Sequence, residues 1–329
     1  MTTSGPDRDT LRHAVALATR APSVHNTQPW RWLVGESSVH LFADLDRRLP
    51  ATDPDGRDLL LSCGAALHHL RIALATAGWG TVVHRLPNPA DPTHLASVEM
   101  HPHEPTEQEI TLARAIQRRQ TDRRRFSSWP VPPQHLGTLA AEAARQGALA
   151  VAITDPTARF RVAGAIAQAA VVQEADPAYS VELAIWTGRG GAATDGVLAG
   201  STPARRHGSA TIPQRSFAHG TLGASPKRYD EQSALLMIAT SSDDTLSRLR
   251  AGEATSTALL AATRLRLAAC PLSQPLQISH TRRVLRDEIL EGTAEPQLLL
   301  RLGWAATSAE PLPFSPRRNL DEVLGDLPA

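Results

Sequence analysis

The sequence predicts an α+β protein in which two units pack as one, and three observations carry that prediction. With 329 residues the chain exceeds the usual size of a single domain, so two domains, or two copies of a smaller unit, are expected. Two segments, Arg57 to Ala77 and Thr257 to Ala269, are dense in apolar residues at helical spacing and read as central, covered helices. Short apolar runs bounded by turn residues read as strands: Trp32-Leu33-Val34, Val39-His40-Leu41-Phe42, Thr81-Val82-Val83, Leu95-Ala96-Ser97-Val98, Ala148 to Ile153 and Gln297 to Trp304.

The elements follow in chain order. Asp9 or Thr10 is placed to cap a helix from Leu11 to Thr19. Gly35 to Ser38 turns the first strand into the second, Asp53-Pro54-Asp55-Gly56 opens the first apolar helix, and Gly78 closes it. Pro105 and Thr106 start a helix through Arg118, and a further helix covers Gln134 to Gln146. Asp176-Pro177 breaks a preceding helix, and Val181 to Trp186 makes a short helical piece. From there to about residue 228 the chain is dense in Gly, Ser, Thr and Arg. A connection this long is a lid or a disordered segment, and Tyr179, Trp186 and Phe217 give it something to bury, which favours a lid. Gly188-x-Gly190-x-x-Ala193 mimics a dinucleotide fingerprint, but no strand leads into it and Asp195-Gly196 stops a helix from leading out.

Composition narrows the class of function. Lys plus Arg numbers 34 against 33 for Asp plus Glu, so no bulk field points to nucleic acid or an anionic membrane. The start is polar and no window approaches the ~18 uninterrupted apolar residues of a membrane span, so a cytoplasmic protein with small-molecule partners is expected. Cys63 and Cys270 stand far apart in apolar surroundings and read as buried fillers. His68-His69 and His101-Pro102-His103 lack the accompanying ligands of a metal site, and none is expected.

The stretch on which the rest is organised is Ala21-Pro22-Ser23-Val24-His25-Asn26-Thr27-Gln28-Pro29-Trp30. Two prolines pin its ends, which predicts a stiff, extended loop, and its hydroxyl, imidazole and amide groups suit a planar, heteroatom-rich ligand. The stretch resembles the APSxxNxQPW signature of flavin-dependent nitroreductase-like proteins. Arg118-Arg119-Gln120-Thr121-Asp122-Arg123-Arg124-Arg125-Phe126 resembles the RRSxRxF opening of such a unit, with Thr121 in place of serine. Cys270-Pro271-Leu272-Ser273-Gln274-Pro275 is similar to the family loop whose backbone approaches the flavin, and Pro313-Phe314-Ser315-Pro316-Arg317-Arg318 to its basic terminal segment. The resemblance spans nearly the whole chain and is closest to the mycobacterial Acg-type branch.

The resemblance implies a nitroreductase-like α+β fold made of two fused units, residues 1–105 and 106–329, forming an internal pseudo-dimer with a lid insertion over 176–228. It implies one FMN per chain, held without a partner subunit: Pro22, Ser23, Val24, His25, Asn26 and Gln28 beside the ring, Pro271, Leu272, Ser273 and Gln274 near its reactive edge. The phosphate falls to Thr121, Arg123, Arg317, Arg318 and either Arg118 or Arg119. The implied activity is oxidoreduction, from NAD(P)H through the flavin to a nitro or quinone-type acceptor, with no catalytic side chain required. Storage or sequestration of FMN under the lid is the alternative.

Overall fold

The computed structural model describes residues 5–203, 212–217, 219–223 and 231–328. Helix α1 (Arg8–Ala18) leads into strands β1 (Trp30–Val34) and β2 (Ser38–Ala43), then α2 (Arg57–Thr76), β3 (Trp79–Arg85) and β4 (His94–Pro102). Helix α3 (Glu107–Arg118) follows, then α4 (Pro133–Ala144), β5 (Leu149–Ile153), α5 (Pro156–Glu174) and α6 (Pro177–Trp186). After β6 (Ala234–Thr240) come α7 (Thr245–Arg264), β7 (Ala268–Leu272), α8 (Gln274–Gln277), α9 (Ser279–Ile289), β8 (Glu295–Gly303), α10 (Leu320–Val323) and β9 (Leu324–Asp326).

The two sheets share one plan. The first runs β3-β4-β2-β1-β9 and the second β7-β8-β6-β5. Within the four strands that correspond, every pairing is antiparallel in both sheets. The first sheet is then extended by β9, parallel to β1. The chain therefore returns at its end to complete the sheet with which it began.

Helices α2 and α7 lie between the sheets and cross at a pair of glycines. A Cβ on Gly64 would strike the carbonyl oxygen of Leu249, and a Cβ on Gly252 that of Leu61. The same offset of 188 positions joins His68 to Ser256, whose Oγ meets the imidazole Nδ1 at 2.9 Å. It also relates Gly78 to Arg266, the left-handed residues that stop the two helices. Helix α2 has the length and hydropathy of a membrane span, yet 83% of that stretch is buried inside the protein. It is a core helix covered by α1, α3, α7 and the first sheet.

Several boundaries depart from the sequence expectation. The first helix is capped by Asp7, whose side chain accepts from Thr10 N, rather than by Asp9 or Thr10. Helix α7 begins twelve residues before Thr257, at an Asp244 cap, because the Ser, Thr and Gly that blur its apolar pattern face α2 at close range. It stops at Arg264, and Ala268 to Leu272 is a strand, so Cys270 and Pro271 belong to β7 rather than to a loop. Strand β6 and helix α9 had no counterpart in the reading of the sequence.

Two predictions follow from this core. Gly252→Ala should wedge α2 from α7 and cost about 1–3 kcal/mol or more, read by chemical denaturation; an unchanged midpoint would refute the close crossing. Asp53, buried before α2, accepts from Leu59 N at 2.9 Å, and burial together with the nearby Asp58 raises its pKa to about 7. The folded chain thus holds a proton that the unfolded chain releases near pH 4, so this group's contribution is lost as pH rises towards 7. The melting temperature of Asp53→Asn should gain on that of the parent between pH 4 and 7, and parallel profiles would contradict the assignment.

Candidate functional site

The loop after α1 does not run extended. Val24–Asn26 form a 3-10 turn, and His25, Asn26 and Gln28 all adopt left-handed backbone conformations, with φ of 45°, 57° and 52°. Such conformations cost of order 1–3 kcal/mol each for non-glycine residues. Side-chain bonds hold them. Ser23 Oγ accepts from Gln28 N at 3.0 Å, Thr27 Oγ1 donates to Val24 O at 2.9 Å, and Val24 N donates to Ser62 Oγ at 3.2 Å. The loop is thereby fixed to α2 as a tight, preshaped turn.

Pro22, Ser23, Val24 and His25 form one wall of a cavity enclosing about 940 Å³ of empty space, its mouth included. Pro271, Leu272, Ser273 and Gln274 form another, and Asp58, Leu61, Ser62 and Ala65 of α2 supply the floor with Thr255 of α7. Thr121 and Arg123 stand where this cavity meets a smaller one, bounded also by Asn26, Arg119, Ser315 and Arg317. Loop residues 22–26 and residues more than ninety positions away thus converge on one two-part site.

The smaller part is built of buried guanidinium groups. Arg301, fully buried on β8, fixes the arginine run by donating to Arg124 O at 2.8 Å and pairing with Glu231 at 2.6 Å. Asp122 N donates to Ala269 O, and the Asp122 carboxylate is taken by Arg124. Arg118 is left facing solvent, whereas Arg119 turns inward and is 7% exposed. Among the described residues, the Nε and Nη1 of Arg119 have no hydrogen-bond partner. Arg123 donates to Ser201 O at 3.3 Å and stacks on Phe217. Arg317 donates to Asn26 Oδ1 and to backbone oxygens of Arg20 and Pro316, and among the described residues its Nε has no partner. Burial and neighbouring arginines push Arg119 down to about 10 and Arg317 to about 9, and burial lowers Arg123 as well. Among the described residues no carboxylate pairs with any of the three. Such a set is costly alone and is suited to a multiply charged anion with several acceptor oxygens.

Two of the expected residues serve elsewhere. Gln28 is fully buried and lines neither cavity; its amide donates to Thr194 O and accepts from Arg318 N. Arg318 pairs with Asp44 at 3.1 Å and lines neither cavity. Asn26 Nδ2 donates to Gly196 O and Pro316 O. These bonds tie the loop to the 194–196 and 316–318 segments.

The larger part has residues that sequence reasoning missed. Arg215 Nη1 donates to His25 Nε2 at 3.0 Å and to Tyr179 OH at 2.9 Å, and its Nη2 to Gln277 Oε1 at 2.7 Å. Burial, then Arg215 and Arg123, hold the His25 pKa well below its usual value, so the ring is neutral and accepts at Nε2. Gln277 also bonds Gln173, which accepts from Gln274, whose buried Oε1 has no partner among the described residues. Arg215 sits in a turn-rich stretch with no motif around it, and nothing short of the fold points to it. Of the 176–228 segment, residues 204–211, 218 and 224–228 lie outside the described residues. Tyr179, Leu183 and Phe217 are buried together, and Trp186 lies against the Arg47 guanidinium.

The pseudo-symmetric position differs in kind. The small residues Ala65 and Ser273 line the cavity; 188 positions from them stand Glu253 and Arg85. The fully buried Glu253 carboxylate there accepts from Arg85 Nε at 2.7 Å and Arg71 Nη1 at 2.8 Å. An ion-paired cluster fills the space that the functional half leaves open.

No protein-family model matches the chain. It is 46% identical over 326 residues to the Mycobacterium tuberculosis protein named "Putative NAD(P)H nitroreductase Rv3131", covering 98% of this chain and 93% of that one. Over 321 residues it is 37% identical to "Putative NAD(P)H nitroreductase acg" of the same organism, with 96% and 95% covered. Among solved structures, the FMN-dependent nitroreductase NfnB from Mycobacterium smegmatis in complex with NADPH aligns with a TM-score of 0.41 at 16% identity, over 66% of this chain and 97% of its own. With full-length identity to Rv3131 and Acg at these levels, the chain belongs to the Acg-type family of NAD(P)H nitroreductase-like proteins.

Proposed function

We propose that the two-part cavity holds one FMN per chain and that the protein is an NAD(P)H-dependent oxidoreductase acting on a small nitro or quinone-type acceptor. The observation that carries this reading is the trio of buried Arg119 and half-buried Arg123 and Arg317, which have no carboxylate partner among the described residues and stand at one end of the cavity. A phosphate suits that end, and the larger compartment offers a planar ring the Pro22–His25 wall on one side and Pro271–Gln274 on the other. The unpartnered guanidinium nitrogens of Arg119 and the orphaned Gln274 Oε1 fit a ligand rich in acceptors and carrying at least one donor. The names of the Rv3131 and Acg relatives support the nicotinamide nucleotide as reductant. When bound, the flavin supplies the two-electron chemistry, and the residues of this chain bind it, orient it and limit access to it.

In this reading the units 1–105 and 106–329 each contribute what the other lacks. The first brings the Pro22–Gln28 loop; the second brings Thr121, Arg123, Pro271–Gln274 and Arg317. Arg119→Ala should weaken FMN binding roughly 10- to 150-fold, the value of about 1.5–3 kcal/mol for a charge-assisted bond. Fluorescence titration of the apoprotein measures it, and equal affinity for FMN and riboflavin would overturn the phosphate assignment. Stoichiometry near two per chain would overturn the composite site.

A second reading, storage of FMN with little turnover, is favoured by how firmly the cover is latched: Asn26 and Gln28 bond the 194–196 backbone, and Arg215 bonds His25. We take the 176–228 segment to be a cover that gates access. Trp186→Ala removes a ring that Arg47 packs against, and should speed bleaching of the flavin by an external reductant while leaving FMN content unchanged. Anaerobic mixing with NADH and NADPH separates the readings. Rapid reduction of the parent supports the oxidoreductase, whereas a slow parent with a fast variant supports storage. FMN lost without faster reduction would mean that the segment builds the site itself.

A further inference from the structure

We propose that Arg215 is a positioning residue that acts through His25: its guanidinium holds the imidazole in the neutral form protonated at Nδ1, and that N–H is offered to the planar ring which the larger compartment takes. The Nη1 of Arg215 stands 3.0 Å from His25 Nε2. A guanidinium has donors only, so Nε2 accepts, and the single proton of a neutral imidazole is left on Nδ1. His25 lines the cavity and is 7% exposed, yet among the described residues its Nδ1 has no partner. Burial keeps the ring neutral, and Arg215 and Arg123 both oppose a further positive charge beside them. A largely buried donor with nothing to donate to is costly in a finished core and useful beside a ligand.

The direction of this bond is imposed from its far side. Both Nη1 hydrogens of Arg215 are in use, on His25 and on Tyr179 OH at 2.9 Å, and Nη2 donates to Gln277 Oε1 at 2.7 Å. The Gln277 amide is fixed in turn, because its Nε2 donates to the Asp58 carboxylate and to Ser273 Oγ. Reversed, it would set an NH2 against the guanidinium and an oxygen against the carboxylate. Asp58, Gln277, Arg215 and His25 therefore form one polarised chain, which begins at an acceptor on the cavity floor and ends at a donor on its wall. The buried Gln274 Oε1, on another wall, has no partner among the described residues. Together the two groups match a heterocycle that carries both an acceptor and a donor, as the oxidised flavin ring does. This ligand half rests on the FMN reading, whereas the tautomer of His25 does not. Arg215 belongs to the 176–228 segment, so the same bond ties the donor on the wall to the cover.

The tautomer is read by long-range proton–nitrogen correlation on the full chain carrying isotope-labelled histidine, the His25 signals being identified by their loss in His25→Gln. In the ligand-free chain and in the FMN-loaded one, His25 should carry its proton on Nδ1 at pH 7. Arg215→Met is similar in length but donates nothing, and should move the proton to Nε2 in part or in whole; Arg215→Lys donates again and should restore it. Tyr179→Phe removes a partner of Arg215 without touching the bond to His25, and should leave the tautomer as in the parent. FMN should shift the Nδ1 resonance of the parent, and Arg215→Met should bind FMN roughly two- to tenfold more weakly, the range for one neutral hydrogen bond. A parent imidazole protonated at Nε2 or at both nitrogens, or a tautomer unchanged in Arg215→Met, would overturn the positioning role. An equal change in Tyr179→Phe would also overturn it, by assigning the effect to loosening of the segment as a whole. FMN binding that leaves the Nδ1 resonance unmoved would overturn the assignment of the ring. A chain that takes no FMN would instead refute the proposed function, and the tautomer in the ligand-free chain would then decide the role of Arg215 by itself.

Discussion

The close crossing of α2 and α7 sets the geometry of everything else. Only glycine at both 64 and 252 lets the two helices approach until backbone meets backbone. Once they do, Asp58, Leu61, Ser62 and Ala65 on one and Thr255 on the other form a common floor. The strands that follow each helix are then held at fixed positions beside it, and β7 delivers Pro271 to Ser273 to the cavity edge. A wider crossing would separate the α2 floor, to which Ser62 anchors the Pro22–His25 turn, from that wall.

On this frame the protein accepts two local costs. Three backbone positions in the loop after α1 are left-handed without being glycine, and buried Arg119 and half-buried Arg123 and Arg317 have no carboxylate partner among the described residues. The two meet at the smaller cavity, where left-handed Asn26 stands with Arg119, Arg123 and Arg317. Strain and unpaired charge together mark a place shaped for something the chain does not itself contain. At the symmetric position the arginines do have a carboxylate: buried Glu253 pairs with both Arg71 and Arg85.

Much of this was legible in the sequence because it rests on local chemistry. The apolar spacing from Leu59 to Leu74 located α2, and the order of residues from Ala21 to Trp30 located the loop. What was not legible depends on contacts between distant positions. Arg118 and Arg119 are equal as letters, and only the placement of the end of α3 in the fold shows that the first faces solvent and the second faces inward. Gln28 and Arg318 look like ligand contacts but are consumed by one another and by Thr194 and Asp44. The first half of α7 was missed because its polar and small residues, a poor helical signal, are those that a buried helix crossing needs. Arg215 was missed because it acts through Gln277, His25 and Tyr179, none of them near it in the chain.

The return of the C-terminus to the first sheet has a consequence for how the molecule is made. Strand β1 pairs with β9, which leaves the ribosome far later than β1, and Leu327 N closes the ladder on Val34 O at 2.8 Å. The N-terminal sheet therefore waits, with one edge unpaired, through the synthesis of some three hundred residues. During that interval Trp30 and Trp32 depend on α1 and α2 for shelter, which gives the early helices a protective task on the nascent chain beyond their place in the finished core.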